Sequence, residues 1–250
     1  MSKNRDFFAG EIASTYDGDR VSGMFAPEIL GPTVDCLTEL AQGDPVLEFA
    51  IGTGRVAVPL ASRGVQVAGI DLSTDMLAQL RAKPGAEAIE VVEGDMATTR
   101  VLGEFSLVYL VFNTISNLTT QDEQVACFEN AARHLRRGGC FVIENGIPNL
   151  RQLHSGMRGV AFRLSDDYVG IDEFTDLTHG QQFRSRHLRR SVDGTFREFT
   201  VPFRFVWPSE LDLMARITGM KLEDRWAGWD KSPFTNESKS AVSVWRLSGN

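Results

Sequence analysis

The chain predicts an α/β fold, a mostly parallel sheet covered by helices on both faces, and three observations carry that expectation. Short β-type runs recur at 45–50, 65–71, 88–95, 105–113 and 139–145. Helix-length segments follow the first two runs, at 55–64 and 73–83, and another precedes the last, at 121–139. A glycine turn, "AIGTG", joins the first run to the first of those helices. Strands alternating with helices at this spacing imply βαβ units and hence parallel neighbours.

Taken in order, residues 5–18 place Phe8, Ile12 and Tyr16 four apart, a one-sided helical pattern that "YDGD" closes with turn residues. A second helix starts after Pro27 and runs through "EILGPTVDCLTELA", with Pro32 marking a kink or a later start. The helix at 121–139 ends in the paired glycines Gly138 and Gly139, which suit a C-cap. Past about residue 150 the rhythm changes. Residues 170–179, 182–192 and 195–207 read as three longer strands, with Asp193-Gly194 as the hairpin turn between the last two. Phe199, Val201, Phe203 and Phe205 alternate with polar or small neighbours and give one apolar face. Pro208 and Ser209 open a helix over 208–220, and strands at 221–229 and 238–247 close the parent sheet.

Composition narrows the function. With 250 residues and 42% hydrophobic content, the chain can bury a large core. A net charge of -7 repels a phosphate backbone, so nucleic acid is not an expected partner. Cys36, Cys127 and Cys140 lie far apart with no CxxC pair, as free thiols of a reducing compartment do. No stretch approaches the ~18 uninterrupted apolar residues of a membrane span, and the N-terminus lacks a signal-peptide core. A cytoplasmic protein without membrane partners is the expectation. His134, His154, His179 and His187 have no metal-ligand spacing, so no metal is expected; His134, near a helix C-terminus, suits the macrodipole. His187 sits in the basic run "RSRHLRR", which faces either an acidic ligand or, more commonly, solvent.

The glycine turn admits two ligand readings. Gly52, Gly54 and Ala57 satisfy G-x-G-x-x-A, and Asp71 follows at about the twenty-residue interval of a ribose-binding carboxylate in a dinucleotide fold. An NAD-dependent oxidoreductase is therefore one candidate, although no Tyr-x-x-x-Lys pair accompanies the turn. A turn between strand and helix also favours glycine whatever it holds. Glu48, two residues before Ala50, points a carboxylate into the turn, where it repels a pyrophosphate and attracts a cation. Asp71 ends the second strand and can accept from ribose hydroxyls. Asp95 in "GDM" ends the third and can accept from an adenine amino group, with Leu72 and Met96 against the ring. These strand ends converge where open α/β sheets bind ligands. The implied ligand carries an amine, a diol and an adenine, but no phosphate.

At these residues the sequence resembles the class I S-adenosylmethionine-dependent methyltransferases, from Tyr16 to about Asn145. "VLEFAIGTGR", "GIDLSTDML", "EGDM", "VFNTISNL" and "HLRRGGCFVIE" are similar to five of that family's segments, in order and at suitable spacing. Ala50 stands where the family has its first glycine. The resemblance implies a Rossmann-like seven-stranded methyltransferase sheet flanked by helices, with an antiparallel β insertion after strand five. It divides the chain into an N-terminal helical lid (1–44), a cofactor-binding core (45–149 and 207–250) and an insertion (150–206) that covers the acceptor or pairs subunits as a homodimer.

By the same resemblance Glu48 holds the methionyl amine, and the backbone of Ala50, Gly52, Thr53 and Gly54 frames the amino-acid portion. Asp71 binds the ribose, and Asp95 faces the adenine between Leu72, Met76 and Met96. Phe112 and Asn113 lie near the sulfonium, while Tyr16, assisted by Arg20, reaches the cofactor carboxylate. Tyr16 packing on the sheet as an ordinary helix residue is the alternative. Glu144 and Tyr16 are positional candidates for a base, and a capping or solvated role is equally open to Glu144. "NTIS" lacks the Asn/Asp-Pro-Pro-aromatic pattern with which similar enzymes methylate base nitrogens. The implied activity is methyl transfer from S-adenosyl-L-methionine to an N or O atom of a small-molecule metabolite, with S-adenosyl-L-homocysteine as product. A cofactor-binding module that has lost its chemistry is the remaining alternative.

Overall fold

The computed structural model describes residues 6–18, 26–148, 150–191 and 193–249. It begins with α1 (Glu11–Thr15) and α2 (Pro27–Ala41). An alternating series follows: β1 (Val46–Phe49), α3 (Ala57–Ser62), β2 (Val67–Asp71), α4 (Thr74–Arg81), β3 (Glu90–Glu93), β4 (Phe105–Leu110), α5 (Gln121–His134) and β5 (Leu135–Gly146). Next come β6 (Gly159–Leu164), β7 (Tyr168–Asp176), β8 (Gln182–Arg190) and β9 (Phe196–Arg204), then α6 (Pro208–Ile217), β10 (Met220–Trp226) and β11 (Ser240–Leu247).

The parent sheet has seven strands in the order β3-β2-β1-β4-β5-β11-β10. Its strands run parallel from β3 to β5, and β11 and β10 add antiparallel. Every residue of β1 and β4 is buried, as expected of central strands covered on both faces. Their side chains alternate between two cores. Leu47, Phe49, Val108 and Leu110 pack with Phe128 of α5 and Leu211 and Met214 of α6. Val46, Leu107 and Tyr109 pack with Leu37 of α2, Leu60 of α3 and Leu80 of α4. Strand order reverses between β1 and β4, which opens a crevice at their carboxyl ends.

Several expectations change. The N-terminal helix shrinks to Glu11–Thr15, because Gly10 at φ 64 breaks the pattern ahead of it. Pro32 neither stops nor delays α2, which begins at Pro27 and continues through it. Helix α5 opens on a capping box between Thr120 and Glu123 and ends at His134 rather than at the glycines. The glycines belong to β5, where the ladder with β4 is interrupted between the Phe105–Leu135 and Leu107–Cys140 pairs. Gly138 takes φ +74 there, and a Cβ on Gly139 would lie 3.0 Å from the Ser106 carbonyl oxygen. His134 is fully buried and neutral in function: Nδ1 donates to the Asn130 carbonyl at 2.8 Å, while Nε2 accepts from the Val101 amide at 2.9 Å. Burial lowers its pKa, so a charged partner for the helix dipole is the wrong description. All three cysteines are free and buried.

The insertion is antiparallel, as expected, but has four strands, in the order β6-β7-β8-β9. The sequence hides β6 because its six residues carry no buried face to print an alternation. Arg204 anchors the end of β9. Its side chain, 3% exposed, bonds to Gln124 Oε1 on α5, to Gln181 Oε1 at 2.9 Å and to Glu210 Oε1 on α6 at 2.6 Å. Among the described residues no helix is long and apolar enough to cross a membrane.

Candidate functional site

The crevice at the reversal of strand order widens into a chamber of about 590 Å³. Ala50, Gly52, Asp71, Met76, Phe112, Asn113 and Glu144 line it from the parent sheet. Phe8, Ile12 and Tyr16 line it from the N-terminal segment, so their four-residue spacing faces a cavity. Asp71, Leu72, Asp95 and Met96 border an adjoining cleft that shares Phe8, Ala50, Asp71, Thr114 and Asn117 with the chamber.

The turn after β1 is made of residues in left-handed backbone: Ala50 at φ 52, Gly52 at φ 55 and Gly54 at φ 74. Glycine takes this conformation freely, whereas Ala50 occupies it with a Cβ and some strain. At Gly54 space matters as well, since a Cβ would lie 2.2 Å from Leu80 Cδ1. The Gly52 amide donates to Asp71 Oδ2 at 2.6 Å, and the Ser73 amide donates to Oδ1 at 2.8 Å. Both carboxylate oxygens are therefore fixed in direction while keeping lone pairs for a ligand. Burial raises the Asp71 pKa against those two amides.

Glu48 sits differently from the expectation. It is 2% exposed and lies behind the turn, not among the chamber walls, and it accepts the Tyr109 hydroxyl at 3.0 Å. Burial pushes its carboxyl up to about 8, opposed by that hydrogen bond, by the Arg55 guanidinium and by the Ala57 amide. Thr53 is also buried; its hydroxyl donates to Asp17 Oδ1 at 2.7 Å. Lys83 Nζ joins Asp17 and the Thr53 carbonyl at 2.5 Å each, and the Gly10 amide donates to Asp75 Oδ2 at 2.6 Å. These bonds tie the N-terminal segment across the glycine turn. Tyr16 lies there with its phenol pKa raised by burial. Arg20 falls outside the described residues.

In the cleft, Asp95 Oδ1 accepts the Ala97 amide at 2.8 Å, and Leu72 and Met96 line the same cleft. Met76 lines the chamber and not the cleft, so it does not complete that pair of walls. After β4, Phe112 and Asn113 adopt φ 59 and φ 56, consecutive left-handed residues that carry side chains. Glu144 accounts for this in part. Its Oε2 accepts the Phe112 amide at 2.7 Å and its carbonyl accepts the Asn113 amide at 3.0 Å. Asn113 Oδ1 in turn accepts the Gly146 amide at 2.9 Å. The Glu144 carboxylate thus braces the chamber floor. The Arg55 guanidinium stands 4.9 Å from the Phe112 ring centre.

The far wall of the chamber is made of residues to which the sequence assigns no site role. It is the inner face of the insertion: Tyr168, His187, Arg189, Phe199, Val201 and Phe203. Phe199, Val201 and Phe203 carry out the alternation expected of them. His187 and Arg189 face the chamber instead of solvent, and their period-two spacing in "HLR" was the available signal.

Comparison with known proteins agrees with this geometry. A family model described as a methyltransferase domain matches residues 46–139. The cypemycin N-terminal methyltransferase of a Streptomyces species is 29% identical over 81% of this chain and 82% of its own length. A dTDP-3-amino-3,6-dideoxy-alpha-D-glucopyranose N,N-dimethyltransferase of Streptomyces fradiae is 26% identical over 87% of this chain and 95% of its own. Among solved structures, the CcbJ methyltransferase of Streptomyces caelestis superposes with a TM-score of 0.86 at 32% identity, covering 98% of this chain and 99% of that one.

Proposed function

This chain belongs to the S-adenosylmethionine-dependent methyltransferases, and from that premise we propose that it methylates a nitrogen atom of a small molecule. The carrying observation is the chamber itself, with strand ends of the parent sheet on one side and an antiparallel sheet rich in aromatic side chains on the other. Nitrogen is favoured over oxygen because two of the relatives named above are, by their names, an N-terminal methyltransferase and an amino-sugar N,N-dimethyltransferase. Nothing in those comparisons supports an NAD-dependent oxidoreductase.

S-adenosylmethionine, when bound, supplies an electrophilic methyl group on a positively charged sulfur. The residues present suit it. Asp71, with both oxygens braced by backbone amides, offers its remaining lone pairs to ribose hydroxyls. Asp95, Leu72 and Met96 form a polar-tipped apolar cleft fitted to adenine. Ala50 and Gly52 line the wall for the amino-acid portion, with Gly54 fixing the turn and Thr53 and Tyr16 closing over it through the tied N-terminal segment. Glu48, buried behind the turn with its carboxyl raised to about 8, gives up its proton when the ligand's cationic amine binds and then serves as its counter-charge. Phe112 and Asn113, held by Glu144, shape the floor on which the acceptor meets the methyl group. In this reading the described residues within 1–44 serve as the lid, those within 45–149 and 207–250 as the cofactor half, and those within 150–206 as the acceptor cover or a dimer contact. The protein's task is alignment and exclusion of water.

Titration calorimetry with S-adenosylmethionine, S-adenosylhomocysteine and NAD tests the cofactor site: the first two bind and NAD does not. A methyl-transfer assay over small amines, amino sugars, short peptides and matched alcohols then tests the acceptor class. Turnover of alcohols alone would overturn the nitrogen assignment.

A further inference from the structure

His187 stands on β8 in the chamber wall, and its ring is held on several sides. Phe199 stacks on it with ring centres 4.3 Å apart and planes 3° from parallel. Phe162 meets it edge-on at 5.6 Å, and the Tyr168 hydroxyl hydrogen-bonds to Nδ1. Nε2 has no hydrogen-bond partner among the described residues. The chamber's two carboxylates are differently committed. Glu144 holds the Phe112 amide, and Asp71 holds two amides.

We propose that His187, oriented by Tyr168, is a catalytic residue that takes the acceptor's proton at Nε2 during methyl transfer. The proposal rests on the methyltransferase reading above. It requires Nδ1 to carry the ring proton and donate it to the Tyr168 oxygen, which leaves Nε2 bare toward the chamber. A neutral acceptor nitrogen places its N–H against Nε2 and directs its lone pair at the methyl carbon. The new N–C bond forms as the C–S bond breaks, and the pair from that bond stays on sulfur. The N–H proton passes to Nε2, so the positive charge that leaves sulfur ends on the imidazolium, which later returns the proton to water. Burial and the nearby Arg189 guanidinium both lower the imidazole pKa, in the direction that favours the neutral ring a base requires. Arg163 and Arg189 also stand over the Tyr168 ring, at 5.0 and 5.8 Å, and add positive field at the pair.

The test begins without an acceptor. Long-range proton–nitrogen NMR of the full chain, with and without S-adenosylmethionine, is assigned by loss of the His187 signals in His187→Gln. The wild-type ring should carry its proton on Nδ1 at neutral pH, and Tyr168→Phe should shift the ring toward the Nε2-protonated form. A wild-type ring protonated on Nε2, or an unchanged ring in Tyr168→Phe, overturns the proposal. With any acceptor found in the amine panel, His187→Gln should lower kcat by about 10²–10⁴-fold and leave the S-adenosylmethionine Kd unchanged. Undiminished kcat in that variant also overturns it. Failure of S-adenosylmethionine to bind the wild-type chain would instead count against the family reading, and the NMR result would still decide the ring's orientation.

Discussion

In the parent sheet β1 and β4 bury every side chain, whereas β7 and β8 leave nearly all of theirs half-buried or exposed. The first sheet coheres through apolar area on both faces, which strengthens roughly in proportion to what is hidden from water. The second has backbone ladders, aromatic contacts on its chamber face and a buried ionic anchor where Arg204 meets Glu210 and Gln124. The half proposed to hold the cofactor is rigid by packing. The half proposed to cover the acceptor is attached at a polar joint, an arrangement that lets its inner face vary without disturbing the core.

The largest expected effect breaks that joint. Arg204→Ala removes a buried side chain, strips Gln124 Oε1 and Gln181 Oε1 of their donor and leaves the part-buried Glu210 carboxylate with only Gln121 and Gln181, and should cost about 3 kcal/mol. Hydrogen exchange should show protection lost first in β6–β9, with β1 and β4 retaining theirs; uniform loss would mean that the two sheets are not distinct in stability. Next in size, Asp71→Ala removes a charged hydrogen-bonding partner from the cofactor half and should weaken S-adenosylmethionine binding by about 1.5–3 kcal/mol. Calorimetry reads this directly, and unchanged affinity in a folded variant would remove Asp71 from the site.

A third experiment probes the exception within the apolar sheet. The Glu48 carboxyl is raised from 4.5 to about 8, so the folded state holds this proton more tightly than the unfolded state does. Its contribution to stability accordingly falls as pH rises from 4.5 to about 8 and is constant above. Glu48→Gln should therefore melt a few °C above the parent at pH 8, with the gap closing toward acid pH. The same variant should abolish the proton that cofactor binding releases near pH 7, measured by calorimetry in buffers of different ionisation enthalpy. The smallest effect sharpens the view of the turn. Ala50→Gly relieves a left-handed alanine but frees the unfolded chain, for a net gain below about 1 kcal/mol in denaturant titration.

The same contrast explains what could be read in the sequence. The central parent strands β1, β2 and β4 are legible because they are short, largely apolar runs ending at a turn, and Asp71 and Asp95 stand at or just past the ends of β2 and β3. The α5–β5 boundary was misplaced because Gly138 and Gly139 resemble a helix cap, and only the interrupted pairing with β4 shows that they serve a strand. The run that holds His187 and Arg189 leaves ligand and solvent both open in the sequence, because a strand of alternating arginines has no sequence mark for which face is covered. Glu48 was placed in the turn by its position in the chain. Its side chain turns to Tyr109, which no local spacing reveals.

Helix α4 touches more of this machinery than its eight residues suggest. Leu80 presses against Gly54, Asp75 holds the Gly10 amide, Met76 enters the chamber wall, and Lys83, just past the helix end, ties Asp17 to the Thr53 carbonyl. A substitution that rotates this short rod would displace the N-terminal tie, the glycine turn and one chamber wall as one body. Defects in capturing the methyl donor and in presenting the recipient would then arise together from a position that contacts neither.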